Sequence, residues 1–195
     1  MKNFLASLAA ALALAACGSS GPSFKNVDIS GAGYGRDFAL TDHNGQRRTL
    51  ADFRGRVVVM FFGYTHCPDV CPTTMLELKQ VVQELGEDGR RVQVLFVTVD
   101  PERDTPAILA KYVPLFDPSF LGLYGDAAAT AKVAKDFRVF YQKVPGSSPD
   151  NFTVDRGQLR VRSGGPAAPV RALRAGSEPD RRHPDVAAPL GLKIR

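Results

Sequence analysis

Residues 57–74 read VVVMFFGYTHCPDVCPTT, and the reading of that stretch decides the fold. Its first six residues are an unbroken apolar run held between Gly55 and Gly63. A run of this kind marks a strand covered on both faces, as in a parallel sheet, because a strand with one wet face alternates instead. From residue 73 the spacing changes: Met75, Leu78, Val82 and Leu85 fall on one helical stripe, and Gly86 supplies a stop. The stretch is therefore a buried strand that hands over, through a short loop, to a helix. In open α/β sheets that junction is where functional sites gather.

Working outward, residues 92–99 (VQVLFVTV) predict a second buried strand. Residues 37–41 alternate like a half-buried strand, Asp42-His43-Asn44-Gly45 makes a turn, and residues 46–49 return as the other arm of a hairpin. Residues 106–116 predict a helix entered through Asp104-Thr105-Pro106, a cap followed by a proline in the first turn. A short strand at 121–124, a helix at 127–137 and a strand at 139–144 complete the pattern. Strands alternating with helices at this spacing predict an α/β domain with a mixed, partly parallel sheet and flanking helices.

The 195 residues suit one domain, and 44% hydrophobic with 23% charged residues is ordinary globular composition. No apolar run reaches the ~18–20 residues of a spanning helix. Three cysteines are too few for a disulfide-stapled miniprotein. The net charge of +5 is unevenly placed: residues 156–195 hold nine Arg and Lys against Glu178, Asp180 and Asp185, and no Phe or Tyr. A nucleic-acid partner is excluded for the body of the chain, which is near neutral, and the basic tail has no aromatic rings on which bases could stack. The tail is also rich in Gly, Pro and Ala, and it cannot bury enough apolar surface to offset chain entropy. It reads as disordered, with Arg160-Val161-Arg162 as a scrap of strand at most.

At the other end, Lys2 precedes an apolar stretch over residues 4–16, of signal-peptide length. Leu14-Ala15-Ala16-Cys17 resembles a bacterial lipobox, so residues 1–16 are expected to be a lipoprotein signal peptide and Cys17 the lipidated residue. A multiply acylated N-terminus is a stable membrane anchor. Residues 17–36, opening with Gly18-Ser19-Ser20-Gly21, then form a tether. This places the chain in the cell envelope, where a cysteine pair can oxidise.

The pair is Cys67 and Cys71, four apart, so that in a first helical turn their sulfurs can face the same way. Unpartnered backbone N–H groups and the positive helix end favour thiolate there. Pro68 and Pro72 preset the backbone without removing donors that would otherwise find partners. Two close thiolates can form a disulfide or chelate one soft ion; they suit copper(I), and an added imidazole would suit copper(II). A zinc site lacks a second Cys/His pair. Around the pair, His66 and Asp69 occupy the loop, and Asp100 ends the second buried strand beside it. Arg103 and Asp104 could pair across that loop, with capping the leading role for Asp104. His43 lies in a polar turn and His183 in the tail.

The pattern FFGYTHCPDVCPTTM, with VTVDPERDTP at residues 97–106, closely resembles the Sco/SenC family, over residues 37–155. The resemblance implies a thioredoxin-like, periplasm-facing domain. It implies a metallochaperone, not an enzyme, that delivers copper to the dinuclear copper site of the copper-bearing subunit of cytochrome c oxidase. Cys67 and Cys71 carry over as metal ligands. The third ligand of that family, a histidine after a Val-Asp pair, does not: Phe152-Thr153-Val154-Asp155 is followed by Arg156. The departure coincides with the change in composition, which points to a shifted reading frame near codon 156 and to loss of the final hairpin and helix. The alternative activity is a thiol–disulfide oxidoreductase or peroxidase-like enzyme, with Cys67 as nucleophile and Cys71 as resolving thiol.

Overall fold

The computed structural model describes residues 27–28, 33–148, 151–155, 158–163 and 170–174, with side chains over 33–142. The two apolar runs become β4 (Val57–Gly63) and β5 (Val92–Thr98), and every residue of both strands is buried. They pair in parallel from Val57 opposite Val92 to Gly63 opposite Thr98. Continuous apolar sequence is what such a position demands, since both faces are covered. β6 (Leu121–Tyr124) extends the parallel set on the far side of β5. The hairpin of β2 (Leu40–Asp42) and β3 (Arg47–Arg48) then joins β6 in antiparallel fashion. The sheet is mixed, as the sequence predicts.

Among the described residues three α-helices flank it: α1 (Val70–Glu84), α2 (Pro106–Tyr112) and α3 (Ala127–Asp136). α1 begins three residues earlier than its apolar period suggests, because its first turn is built from Val70, Cys71 and Pro72 and not from large apolar residues. It buries Cys71, Met75, Leu78 and Val81, while Val82 and Leu85 pack at the margin of the core. Gly86, at φ +57, supplies the left-handed residue that ends it. α2 is capped by Thr105, whose side chain accepts from the Ile108 N–H at 3.3 Å. The capping role expected of Asp104 falls to its neighbour, because the Asp104 carboxylate is turned inward. Phe61 and Phe96, 5.9 Å apart between ring centroids, pair across neighbouring strands, and Phe62–Phe137 at 6.0 Å ties the sheet to the end of α3.

The C-terminal part departs from expectation. The strand foreseen at 139–144 is β7 (Gln142–Ser148), paired antiparallel with β8 (Asn151–Asp155) in a separate two-stranded sheet. Within the tail read as disordered, two segments are strands: β9 (Gln158–Ser163) and β10 (Val170–Arg174). β9 lies antiparallel against β4, with Val57 opposite Ser163 and Phe62 opposite Gln158, and β10 pairs with β9. Composition misled here because alternating Arg and Val, in Arg160-Val161-Arg162, is a strand pattern whose partner lies about a hundred residues away. Val27–Asp28, inside the expected tether, forms β1 against β10. The full order is β1-β10-β9-β4-β5-β6-β2-β3. The signal peptide, Cys17, Arg156, His183 and any terminal helix lie outside the described residues, among which no helix is long and apolar enough to cross a membrane.

Candidate metal centre

β4 delivers the chain to Gly63 at the carboxyl edge of the parallel strands, and residues 64–69 turn it into α1. Tyr64 is buried and its carbonyl accepts from the Cys67 N–H at 3.3 Å, closing a tight turn. Asp69 is the N-cap residue of α1, so Cys71 stands in the first helical turn and Cys67 just ahead of it. The Cys71 N–H donates to Cys67 Sγ at 3.3 Å. The Cys67 sulfur thus receives one of the orphan donors at the helix start.

The two cysteines differ in environment. Cys67 is half-buried, whereas Cys71 retains 2% exposure. The Cys71 sulfur is packed against the end of β4: a Cβ added to Gly63 would sit 3.1 Å from it and 2.9 Å from the Phe61 ring. Only glycine admits so close an approach. Burial pushes the Cys71 thiol well above its ordinary value, and its hydrogen bond with Cys67 adds to that push. This corrects the expectation that the helix start favours thiolate at both positions. For Cys71, desolvation outweighs the helix end.

Behind the loop lies a buried carboxylate. Asp104 accepts from the Thr65 N–H at 3.1 and 3.2 Å, from the Thr65 hydroxyl at 2.5 Å and from the Thr98 hydroxyl at 2.6 Å. It therefore pins the cysteine loop to the end of β5. Burial raises its pKa, against the pull of the threonine hydrogen bonds. The expected Arg103–Asp104 pair does not form: Arg103 Nε donates to Asp100 Oδ2 at 2.5 Å, and its guanidinium lies 5.9 Å from the Tyr64 ring centroid. Thr65, Thr98 and Tyr112 were not singled out in the sequence. The signal for Thr98 was a hydroxyl at the end of a largely apolar strand, beside the cysteine loop.

His66 is 53% exposed, with Nδ1 3.2 Å from Thr65 Oγ1. His43 is structural, its Nδ1 accepting from the Gly122 N–H at 2.9 Å. Burial lowers its pKa, despite Asp42 beside it, so the ring stays neutral. Among the described residues no group of three or more His, Cys, Asp or Glu side chains converges as a metal site. Cys67 and Cys71 stand as a pair, able to close on each other or to grip a soft ion that accepts two ligands.

Known proteins resemble this chain closely. The bovine mitochondrial SCO2 homolog is 50% identical over 121 residues, which is 61% of this chain and 46% of that protein. The chain thus spans about half the length of the curated relatives it matches. The copper-bound structure of Bradyrhizobium japonicum ScoI is 38% identical with a TM-score of 0.67, covering 77% of this chain and 95% of that one. Copper-bound ScoI from Arabidopsis thaliana is 29% identical with a TM-score of 0.71, covering 80% and 96%. The SCO1/SenC family model matches residues 27–182, from β1 past Arg156 and through β10. With the cysteine loop and the mixed thioredoxin-like sheet both inside that span, the chain belongs to the SCO1/SenC family.

Proposed function

We propose that this protein is a copper-carrying metallochaperone for assembly of the dinuclear copper site of cytochrome c oxidase, with Cys67 and Cys71 as its ligands. The observation that carries this reading is the sulfur pair itself. One thiol is reachable from solvent, the other is seated at the strand end, and the Cys71 N–H reaches across to Cys67 Sγ. Two soft donors with no third converging among the described residues suit copper(I), which accepts low coordination, better than copper(II). The copper-bound relatives and a family member described as a cytochrome c oxidase assembly protein supply the cargo and the partner. Copper(I) is the cargo: each thiol gives up its proton to water as its sulfur bonds the ion, and the oxidation state is unchanged.

Anchorage belongs to the same proposal. A lipid on Cys17 would hold the domain at the membrane, facing the periplasm, and mass spectrometry of the mature N-terminus reads it directly. Arg156 stands where the family resemblance calls for histidine, and a guanidinium offers no lone pair to a metal. A shifted reading frame there is checked by resequencing the locus: an intact frame, with no Val-Asp-His in either other frame, removes it.

The test is titration of reduced protein with copper(I), and separately with copper(II), against a competing chelator. Wild type is expected to hold one copper(I) and to compete poorly for copper(II). Cys67→Ser and Cys71→Ser are each expected to release copper(I) at concentrations that saturate wild type. Equal binding by wild type and Cys67→Ser would end the chaperone reading. The second reading, thiol–disulfide exchange, has its own support in the same asymmetry: an accessible Cys67 to attack and a buried Cys71 to resolve. Turnover of a mixed disulfide that needs both cysteines and no copper would favour it.

A further inference from the structure

The two cysteines are held by different parts of the chain. Cys71 belongs to α1, and its sulfur is packed against the end of β4. Cys67 stands ahead of the helix, in the loop that leaves β4 at Gly63, and is only half-buried. The spacing of the two sulfurs therefore depends on how firmly that loop is fixed to the body of the domain.

The segment from Thr98 to Asp104 fixes it at two points. Asp104 accepts from both the N–H and the hydroxyl of Thr65, two residues ahead of Cys67. Arg103 lays its guanidinium 5.9 Å from the ring centroid of Tyr64, whose carbonyl accepts from the Cys67 N–H. The segment is itself braced. The Thr98 hydroxyl donates to Asp104, the Asp100 N–H donates to the Thr98 oxygen at 3.0 Å, and the Asp104 N–H donates to the Asp100 carbonyl at 2.9 Å. A buried carboxylate is costly unless hydrogen bonds compensate it, and an apolar side chain would fill the same space without that cost. Asp104, buried at the carboxyl edge of the parallel strands, is thus unexplained by packing alone; what it holds is the loop that carries Cys67.

We infer that the Thr65–Asp104 hydrogen bonds hold Cys67 at the spacing from Cys71 at which both sulfurs reach one copper(I), so that Thr65 and Asp104 are positioning residues for the metal pair. This rests on the proposed copper-carrying function. Once one sulfur has taken the ion, the second bond closes within the same molecule, at an effective concentration set by how closely the other sulfur is kept in place. A loop released from Asp104 spreads Cys67 over more positions, and two-point capture weakens while each thiol stays intact.

Thr65→Val removes the hydroxyl and keeps the bulk, whereas Thr65→Ser keeps the hydroxyl. In full-length reduced protein, copper(I) affinity by chelator competition is expected to fall roughly 10- to 100-fold in Thr65→Val, the range for groups that orient metal ligands, and to stay near wild type in Thr65→Ser. Asp42→Asn, which weakens the β2–β3 turn beyond β6, controls for stability and should bind as wild type does. In the metal-free protein, amide hydrogen exchange at Cys67 should quicken in Thr65→Val while that at Leu78, inside α1, does not. Wild-type affinity in Thr65→Val overturns the assignment. So does an equal fall in Thr65→Ser, which removes the hydroxyl from the account, or in Asp42→Asn, which makes affinity follow stability. Unchanged exchange at Cys67, or equal quickening at Leu78, overturns it as well. If wild type itself binds no copper(I), the proposed function falls and this inference with it; copper(I) binding by wild type that Thr65→Val matches sinks the inference alone.

Discussion

Two buried carboxylates show how single residues set opposite responses to pH. Asp42 is fully buried in the β2–β3 turn; burial alone would raise its pKa, yet the Gln46 and Asn44 N–H groups and Arg48 hold it below the ordinary value. Its contribution to stability is present above the ordinary carboxylate range and is lost as pH falls through its depressed folded value. Asp104 is the reverse case, with its pKa raised by burial. The folded protein holds that proton more tightly than the unfolded chain does. Its contribution is therefore fullest below the ordinary carboxylate value and fades as pH rises through the raised one. Urea unfolding from strongly acidic to neutral pH should show this as two changes of slope, that of Asp42 below the ordinary carboxylate range and that of Asp104 above it. Asp104→Asn should remove the decline on the rising side, and Asp42→Asn should remove the loss on the acid side. Matching slopes for wild type and Asp104→Asn would mean that Asp104 titrates as it does in the unfolded chain.

At the scale of elements, the site depends on the junction between β4 and α1, and Gly63 is its tightest point. A methyl there would lie 2.9 Å from the Phe61 ring and 3.1 Å from both Cys71 Sγ and the Phe96 ring. Gly63→Ala is expected to cost about 1–3 kcal/mol in urea unfolding, the range for overpacking a core. Copper(I) affinity should fall as well, because the sulfur is among the atoms that must move. Full retention of both would show that the strand end yields more easily than its contacts suggest. The junction was legible in the sequence because an apolar run, a loop with two prolines and a helical stripe are each local signals. The start of α1 was read three residues late, because Cys71, although four residues ahead of Met75 on the same stripe, is followed by Pro72, Thr73 and Thr74 and not by large apolar residues.

For the whole molecule, the question is what lies beside β4. β9 takes that place with six registered pairs and is itself covered by β10, which carries β1. Without them β4, whose residues are all buried, would become an open edge, and an exposed apolar edge recruits other chains. A chain ending at Asp155 is therefore expected to aggregate or melt well below wild type. Size-exclusion chromatography and a thermal melt measure this; a monomer with unchanged melting temperature would show that the tail contributes nothing to the domain. The same experiment bears on the composition of residues 156–195, which by itself argued for a tail outside the fold.

What the sequence determined alone is whatever a few consecutive residues can encode. This covers the two parallel strands from their apolar runs, the hairpin from Asp42-His43-Asn44-Gly45, and the cysteine pair at a strand-to-helix turn. Hydrophobic period and turn chemistry are properties of neighbours along the chain. Only the tertiary structure decided that Thr65 and Asp104, 39 residues apart, join through hydrogen bonds. It alone placed Gln158–Ser163 against β4 and buried Cys71 deeply enough for desolvation to overcome the helix start. Those outcomes depend on which distant segments come to share one solvent-free space, and no local pattern carries that information.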